Sequence, residues 1–289
     1  MSWRTVIISN RCKLDLKMGY MVIRAEETKR IFLDEIAILL IENPAVSLTG
    51  CLLEALTEKK IRVIFCGNDR TPIAELSPLH GSHDTTRKLR QQLAWAEETK
   101  GAVWSYIIAD KIEKQAGLLA EWGKSDEAGL LESYIPQIEF NDNTNREGHA
   151  AKVYFNALFG IEFSRRDENP INAALNYGYA ILLSAFNREV SAAGYVTELG
   201  IHHDNVFNHF NLSCDLMEPF RVLIDRKVRS LMPKVFEKET KASLADILNT
   251  SVEIADTKQT VLNAIRIYSN RAFESLNKND SGLLRFYKL

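Results

Sequence analysis

Cysteine is scarce in this 289-residue chain: Cys12, Cys51, Cys66 and Cys214 lie far apart and form no C-x-x-C pair. That argues against a zinc ribbon or a disulfide scaffold and fits a reducing cytoplasm with buried thiols. Long apolar runs are lacking too. The densest, IAILLIEN and YAILLSAF, have the length of core elements and fall short of a membrane span, which needs roughly 20 apolar residues. The start, MSWRTVIIS, has no basic stretch followed by a long apolar one, so no signal peptide is expected. Nor is there an excess of one charge: 36 Lys and Arg face 38 Asp and Glu, a net of −2. Bulk charge therefore does not announce a nucleic-acid binder. No internal repeat and no low-complexity segment is visible.

What is present is a soluble globular composition, 46% hydrophobic and 26% charged, and a length that suits one large domain or two ordinary ones. The expected fold class is α+β, with a small mostly-β domain over residues 1–80 and a larger all-α domain over 81–289. In the first part RTVIIS, YMVIRA, KRIFL, IAILLI and IRVIFCG read as strands. Turn signals at Lys17-Met18-Gly19, Asn43-Pro44 and Gly67-Asn68-Asp69 separate them. One helix is expected from about Thr49 to Lys59, with Thr49 as cap and Leu52, Leu53 and Leu56 on one side. Pro72 and Pro78 then break the pattern.

Beyond Ser82 the period becomes helical. The expected helices are Asp84 to about Glu121, Arg146–Leu158, Ile171–Ala193, Leu216–Leu231, Leu244–Leu248 and Thr257–Leu276. GKSDEAG reads as a loop, and Asn141 to Asn145 as a cluster of cap-type residues. The tail SGLLRFYKL is apolar enough to dock on the rest.

Three segments carry residues suited to chemistry. In NREGHAAKVYFNALFG, Glu147 shares a helix face with Ala150, Ala151, Tyr154 and Leu158. A carboxylate on a buried face needs a partner or a metal; alternatively Glu147 is a first-turn anion favoured by the helix N-terminus. INAALNYGYAILLSAF is nearly apolar all round and reads as a central helix. On it Asn172 and Asn176 either bond within the core or face the same cavity as Glu147, and Gly178 permits close helix contact. HHDNVFNHFNLSCDLMEPF packs three histidines, three carboxylates and a cysteine into nineteen residues. Asp215 and Glu218 are three apart, as in one helical turn, or as cap and third residue of a D-x-x-E capping box. Pro219 makes the backbone at Glu218 irregular or places it in a first turn. His203 lies a loop away. Glu, His and a carboxylate from separate segments suit a hard divalent ion, Mg²⁺ or Mn²⁺.

Together these segments, with the LGIHHDN turn, NLSCDLMEPFRVLID and GSHDTTRKLRQQLAW, give the chain a resemblance along its whole length to the CRISPR adaptation integrases, most closely their type II branch. The resemblance implies an N-terminal β domain for dimerisation and partner docking and a C-terminal helical catalytic domain. It also implies a homodimer, a heterohexamer with a small ferredoxin-like second subunit, and association with an effector nuclease. By the matching motifs the metal-binding and catalytic residues fall on Glu147, His203 and Glu218, with Asp215 as an assisting acid and His202 as the alternative to His203. Relatives often carry aspartate where Glu218 stands. The implied reaction is a transesterification in which a 3′-hydroxyl of prespacer DNA attacks a phosphodiester at the repeat and leader boundary of the double-stranded target. His203 is either a ligand or a proton carrier. Arg87, Lys88, Arg90, Arg221 and Arg226 become candidate phosphate contacts, where charge alone reads as solvated helix faces.

Two other classes compete. A metal phosphohydrolase acting on nucleotides would use the same carboxylates and histidine. A non-catalytic, DNA-binding architectural subunit would use Glu147 only as a capping charge. His209, Asp204 and Cys214 are expected to be bystanders.

Overall fold

A computed structural model describes residues 4–68, 72–76 and 84–289. Asp69, Pro78 and the residues Gly81 to His83 that open GSHDTT lie outside them. Chain contacts divide the protein into two units, Met1–Thr85 and Thr86–Leu289.

The first unit holds β1 (Arg4–Ile8), β2 (Lys13–Lys17), β3 (Tyr20–Arg24), β4 (Thr28–Phe32), β5 (Ile36–Ile41), β6 (Ser47–Leu48), α1 (Gly50–Glu58), β7 (Arg62–Cys66) and β8 (Pro72–Leu76). They build two four-stranded sheets, ordered β1-β5-β7-β8 and β4-β3-β2-β6. IAILLI forms β5, buried at all six positions between parallel neighbours β1 and β7, which is why it reads as one unbroken apolar run. β2 and β3 join through Met18 and Gly19, both at positive φ, the geometry a two-residue hairpin demands. Thr49 caps α1 by accepting the Leu52 N–H, and Leu52 and Leu56 face the core.

Three strands of the first unit were not legible. KLDLK alternates with charge and lacks β-branched residues, yet Leu14 is fully buried and Asp15 accepts Arg24 across the pair at 2.6 Å. β6 has only two residues. Pro72, expected to break the pattern, opens β8, an edge strand where a missing N–H costs no ladder bond.

The second unit is mainly helical: α2 (Thr85–Leu93), α3 (Glu97–Glu121), α4 (Ser125–Tyr134), α5 (Arg146–Phe159), α6 (Pro170–Ala192), α7 (Asn211–Met217), α8 (Arg221–Leu231), α9 (Lys238–Ala245) and α10 (Val261–Lys278). It also carries a small antiparallel sheet, β10-β9-β11, from β9 (Ser251–Ile254), β10 (Thr257–Thr260) and β11 (Tyr287–Lys288). Its core is the apolar faces of α3, α6 and α10, with Trp104, Phe186 and Tyr268 among the largest buried side chains. Gly178 on α6 allows α8 to close in: a Cβ there would stand 2.4 Å from Ile224 Cγ2.

Several expected bounds change. The helix expected from Asp84 to Glu121 is two helices. The chain turns at Ala94-Trp95-Ala96, where Ala96 is extended and the buried Trp95 indole donates to Asn277 at 3.0 Å. GKSDEAG is not a loop throughout: Gly123 takes a positive φ, and Ser125 already starts α4. The helix expected over Leu216–Leu231 is α7, a 3₁₀ turn at Glu218–Phe220, then α8, because Pro219 has no N–H to continue α7. Leu244–Leu248 is the end of α9 running into a 3₁₀ turn, Asp246–Asn249. The first residues of the expected Thr257–Leu276 helix are β10, paired to β9 through Ala255 and Asp256 at positive φ. Among the described residues no helix is long and apolar enough to cross a membrane.

Candidate active site

The site grows from three helical elements. Asn145 caps α5 by accepting the Gly148 N–H, and the buried Asp142 accepts the N–H groups of Arg146 and Glu147 at 2.8 and 3.0 Å. The free donors of the first turn are thus met, and Glu147 is fixed in position with Ala150, Tyr154 and Leu158 buried below it. From α3, Lys111 reaches across. Its ammonium donates to Glu147 Oε1 at 2.6 Å and to Glu218 Oε2 at 2.5 Å. Glu218 stands in the 3₁₀ turn made by Pro219, where its other oxygen accepts Arg221 Nε at 2.8 Å. Two carboxylates 71 residues apart in sequence therefore converge on one buried cation.

Electrostatics follow the burial. Burial pushes the Glu218 carboxyl up, but Arg221 and Lys111 outweigh it and hold the group below the usual carboxylate range. Burial pulls Lys111 down, and Glu218 and Glu147 more than offset that, so it stays an ammonium. Arg221 also lies over the Tyr179 ring, 4.8 Å from its centroid. Beneath the site Asp225 accepts the hydroxyls of Tyr154, at 3.0 Å, and of Tyr179, tying α8 to α5 and α6. Burial pushes Asp225 up to about 6 against those two bonds.

The histidines form a second group. Asp215 is not a helix cap; it lies inside α7 and is wholly buried. Its carboxylate accepts the N–H groups of Ile201 (2.7 Å), His202 (3.0 Å) and His203 (3.2 Å), and pairs with His203 Nδ1. Gly200 lets this turn close, since a Cβ there would stand 2.7 Å from Asp215 Oδ2. The Asp215 bond raises the His203 pKa against the effect of burial. With Nδ1 taken, Nε2 is the ring nitrogen left over. His202 instead stacks on Trp104 (centroids 4.2 Å apart), meets Asn141 Oδ1 through Nδ1 at 3.0 Å, and is pulled down by burial. Both histidines line a cleft of about 410 Å³ with Gln92, Phe140, Asn141 and Gly200.

Of the residues singled out in the sequence, the structure joins Glu147 and Glu218 around Lys111, and joins His203 to Asp215. Among the described residues no three His, Cys, Asp or Glu side chains are grouped so as to hold one metal ion. The chemistry of the carboxylate pair nevertheless fits a hard divalent cation: two oxygens already face one positive charge, and Mg²⁺ commonly takes one or two carboxylates and keeps several waters. Asn172 is buried and bonds within the core, whereas Asn176 is exposed. Both accept from Arg165, and Asn172 also donates to the Ser164 and Asp167 carbonyls. Arg221 is bound to Glu218 and Arg226 to Glu121 at 2.6 Å. Arg87 and Arg90 are exposed on α2, and Lys88 lies over the Tyr195 ring. His209 lies against the Phe210 ring, Asp204 is exposed, and Cys214 accepts weakly from Asn208.

Sequence reasoning missed Lys111, Asp142, Trp104 and Asp225. For Lys111 a signal existed. It sits on the stripe Trp104, Ile107, Lys111, Gln115, Leu118, a buried and mostly apolar helix face, and a cation on such a stripe calls for buried anions.

This architecture has close counterparts among solved structures. A casposase bound to integration product superposes with TM-score 0.76 at 16% identity, covering 97% of this chain and 92% of that one. A Cas6-RT-Cas1–Cas2 complex superposes with TM-score 0.76 at 16% identity over 97% of this chain, which spans only 36% of that one. The protein is thus of the fold class shared by Cas1 and casposase structures, with a carboxylate–ammonium–carboxylate centre in its helical unit. The chain belongs to the family CRISPR associated protein Cas1, whose model matches residues 5–249. A CRISPR-associated endonuclease Cas1 from Neisseria meningitidis serogroup C (strain 8013) is 36% identical over 229 residues, 79% of this chain and 75% of that protein.

Proposed function

We propose that this Cas1-family chain, a CRISPR-associated nuclease, acts as a divalent-metal-dependent DNA integrase of the type II branch. It joins the 3′-hydroxyl of a short prespacer duplex to a phosphodiester at the repeat boundary, once on each strand. The observation that carries the reading is the convergence of Glu147 and Glu218 on a single buried cation at 2.6 and 2.5 Å. The fold shared with a casposase solved on its integration product supports it.

Glu147 and Glu218 would hold Mg²⁺ or Mn²⁺, which would supply charge to polarise the phosphodiester and to ease loss of the hydroxyl proton. The chain's own residues do the rest. Asp142 fixes the backbone of Glu147, and Arg221 keeps Glu218 ionised and aimed. Asp215 locks His203 by Nδ1, so Nε2 either completes the metal ligands or carries a proton to the departing 3′-oxygen. His202 is held away from that role by Trp104 and Asn141. Arg87, Lys88 and Arg90 on α2 are the phosphate contacts. Arg221 and Arg226 act through their carboxylate partners.

In this reading the helical unit carries the catalysis, and the strand-rich unit mediates homodimerisation and docking of the small ferredoxin-like subunit in a heterohexamer, which also meets the effector nuclease. The Cas1–Cas2 pairing named for a structural neighbour supports the second subunit. The test is strand transfer of a 3′-hydroxyl duplex into a supercoiled plasmid, with and without Mg²⁺ and the small subunit. Joined product that requires Mg²⁺ supports the reading. Mononucleotide hydrolysis without joining, or DNA binding without metal-dependent chemistry, contradicts it.

A further inference from the structure

We propose that Lys111 is a displaceable resident cation. Its ammonium holds Glu147 and Glu218 together in the metal-free protein and yields that position when a divalent ion enters. The inference rests on the metal reading above and goes beyond it by giving Lys111 a role that opposes metal binding.

Three observations support it. First, the ammonium contacts both carboxylates, at 2.6 and 2.5 Å, so it stands at the point toward which both oxygens are directed. An ion and an ammonium cannot share that point. Second, the pairing is uneven. Glu218 keeps Arg221 on its other oxygen at 2.8 Å, whereas among the described residues Lys111 is the one cation bonded to Glu147. Glu218 therefore remains oriented and charged when the lysine leaves, and Glu147 becomes free to bind. Third, the charges balance. Two carboxylates, Lys111 and Arg221 sum to zero, which lets a buried carboxylate, Glu218, and a half-buried one, Glu147, face each other without metal; a divalent ion added to that set leaves a surplus of two positive charges. A phosphodiester of the substrate can neutralise part of that surplus, so metal loading is favoured where DNA is present. The four-carbon lysine stem gives the ammonium freedom to swing from its place on α3.

The purely structural alternative is a fixed ion triad that no metal disturbs. Calorimetric titration of MnCl₂ into the full-length wild type and into Lys111→Met separates the two, with thermal unfolding in EDTA and in MnCl₂ as a second readout. Displacement predicts that Lys111→Met unfolds several degrees lower in EDTA, because two carboxylates face each other without their counter-ion. It also predicts Mn²⁺ affinity about ten-fold or more above wild type and a larger rise in melting temperature with Mn²⁺. Lys111→Arg, which keeps the charge, is expected to bind Mn²⁺ no better than wild type. Equal or weaker Mn²⁺ affinity in a folded Lys111→Met overturns displacement and leaves the metal reading standing. No Mn²⁺ binding by wild type or variant overturns both. If Lys111→Met does not fold in EDTA, refolding on addition of Mn²⁺ supports displacement, and failure to fold in either condition overturns it.

Discussion

Asp142 accepts the backbone N–H of Glu147 at 3.0 Å and that of Arg146 at 2.8 Å. One buried acid outside α5 therefore decides where a proposed metal carboxylate sits. Asp142→Ala leaves two N–H groups of the first turn without acceptors, a loss of about 1–2 kcal/mol by analogy with helix caps. Urea unfolding should show that loss, and Mn²⁺ affinity should fall with it.

Asp215 does for the histidine turn what Asp142 does for α5. It collects three N–H groups and the His203 ring. Asp215→Asn keeps the shape but halves the acceptor capacity. The expected result is a protein that still folds, with the His203 ring no longer held by Nδ1, read as a changed imidazole tautomer in ¹⁵N spectra and as reduced strand transfer.

Asp225 gives a pH prediction. Its folded-state pKa of about 6 lies above its ordinary value of 3.8, so the folded protein holds this proton more tightly than the unfolded chain. The stabilisation is fully present below about pH 4 and is lost as pH rises through about 6, a contribution of about 3 kcal/mol. Asp225→Asn should flatten that part of the stability profile between pH 4 and 6, measured by chemical denaturation at each pH.

Two packing contacts hold the site from behind. The Tyr287 hydroxyl donates to the Pro219 carbonyl at 2.9 Å, so the docked tail braces the turn that presents Glu218. Tyr287→Phe leaves that buried carbonyl unmet and should cost about 1–3 kcal/mol in denaturant titrations. Gly178→Ala would drive a methyl into Ile224, push α8 away from α6, and destabilise the unit by about 1–3 kcal/mol.

The sequence was most legible where local chemistry matched global need. Asn145 reads as a cap and is one. Pro219 foretells irregular backbone, and the structure has a 3₁₀ turn there. IAILLI announces a doubly flanked strand. What stayed hidden depends on partners far along the chain. Lys111 needs carboxylates 36 and 107 residues away. D-x-x-E around Asp215 looks like a capping box, yet the preceding turn claims that carboxylate first. The break at Trp95 follows from burial against Asn277, which no local pattern contains.

The central claim is that Glu147 and Glu218 form the metal-dependent centre of a DNA integrase. The most direct measurement is plasmid strand transfer by Glu147→Gln in Mg²⁺, paired with duplex binding by the same protein. The account predicts joined product reduced at least about a hundred-fold, with duplex binding retained and the fold intact. Wild-type levels of Mg²⁺-dependent joining by correctly folded Glu147→Gln would contradict it.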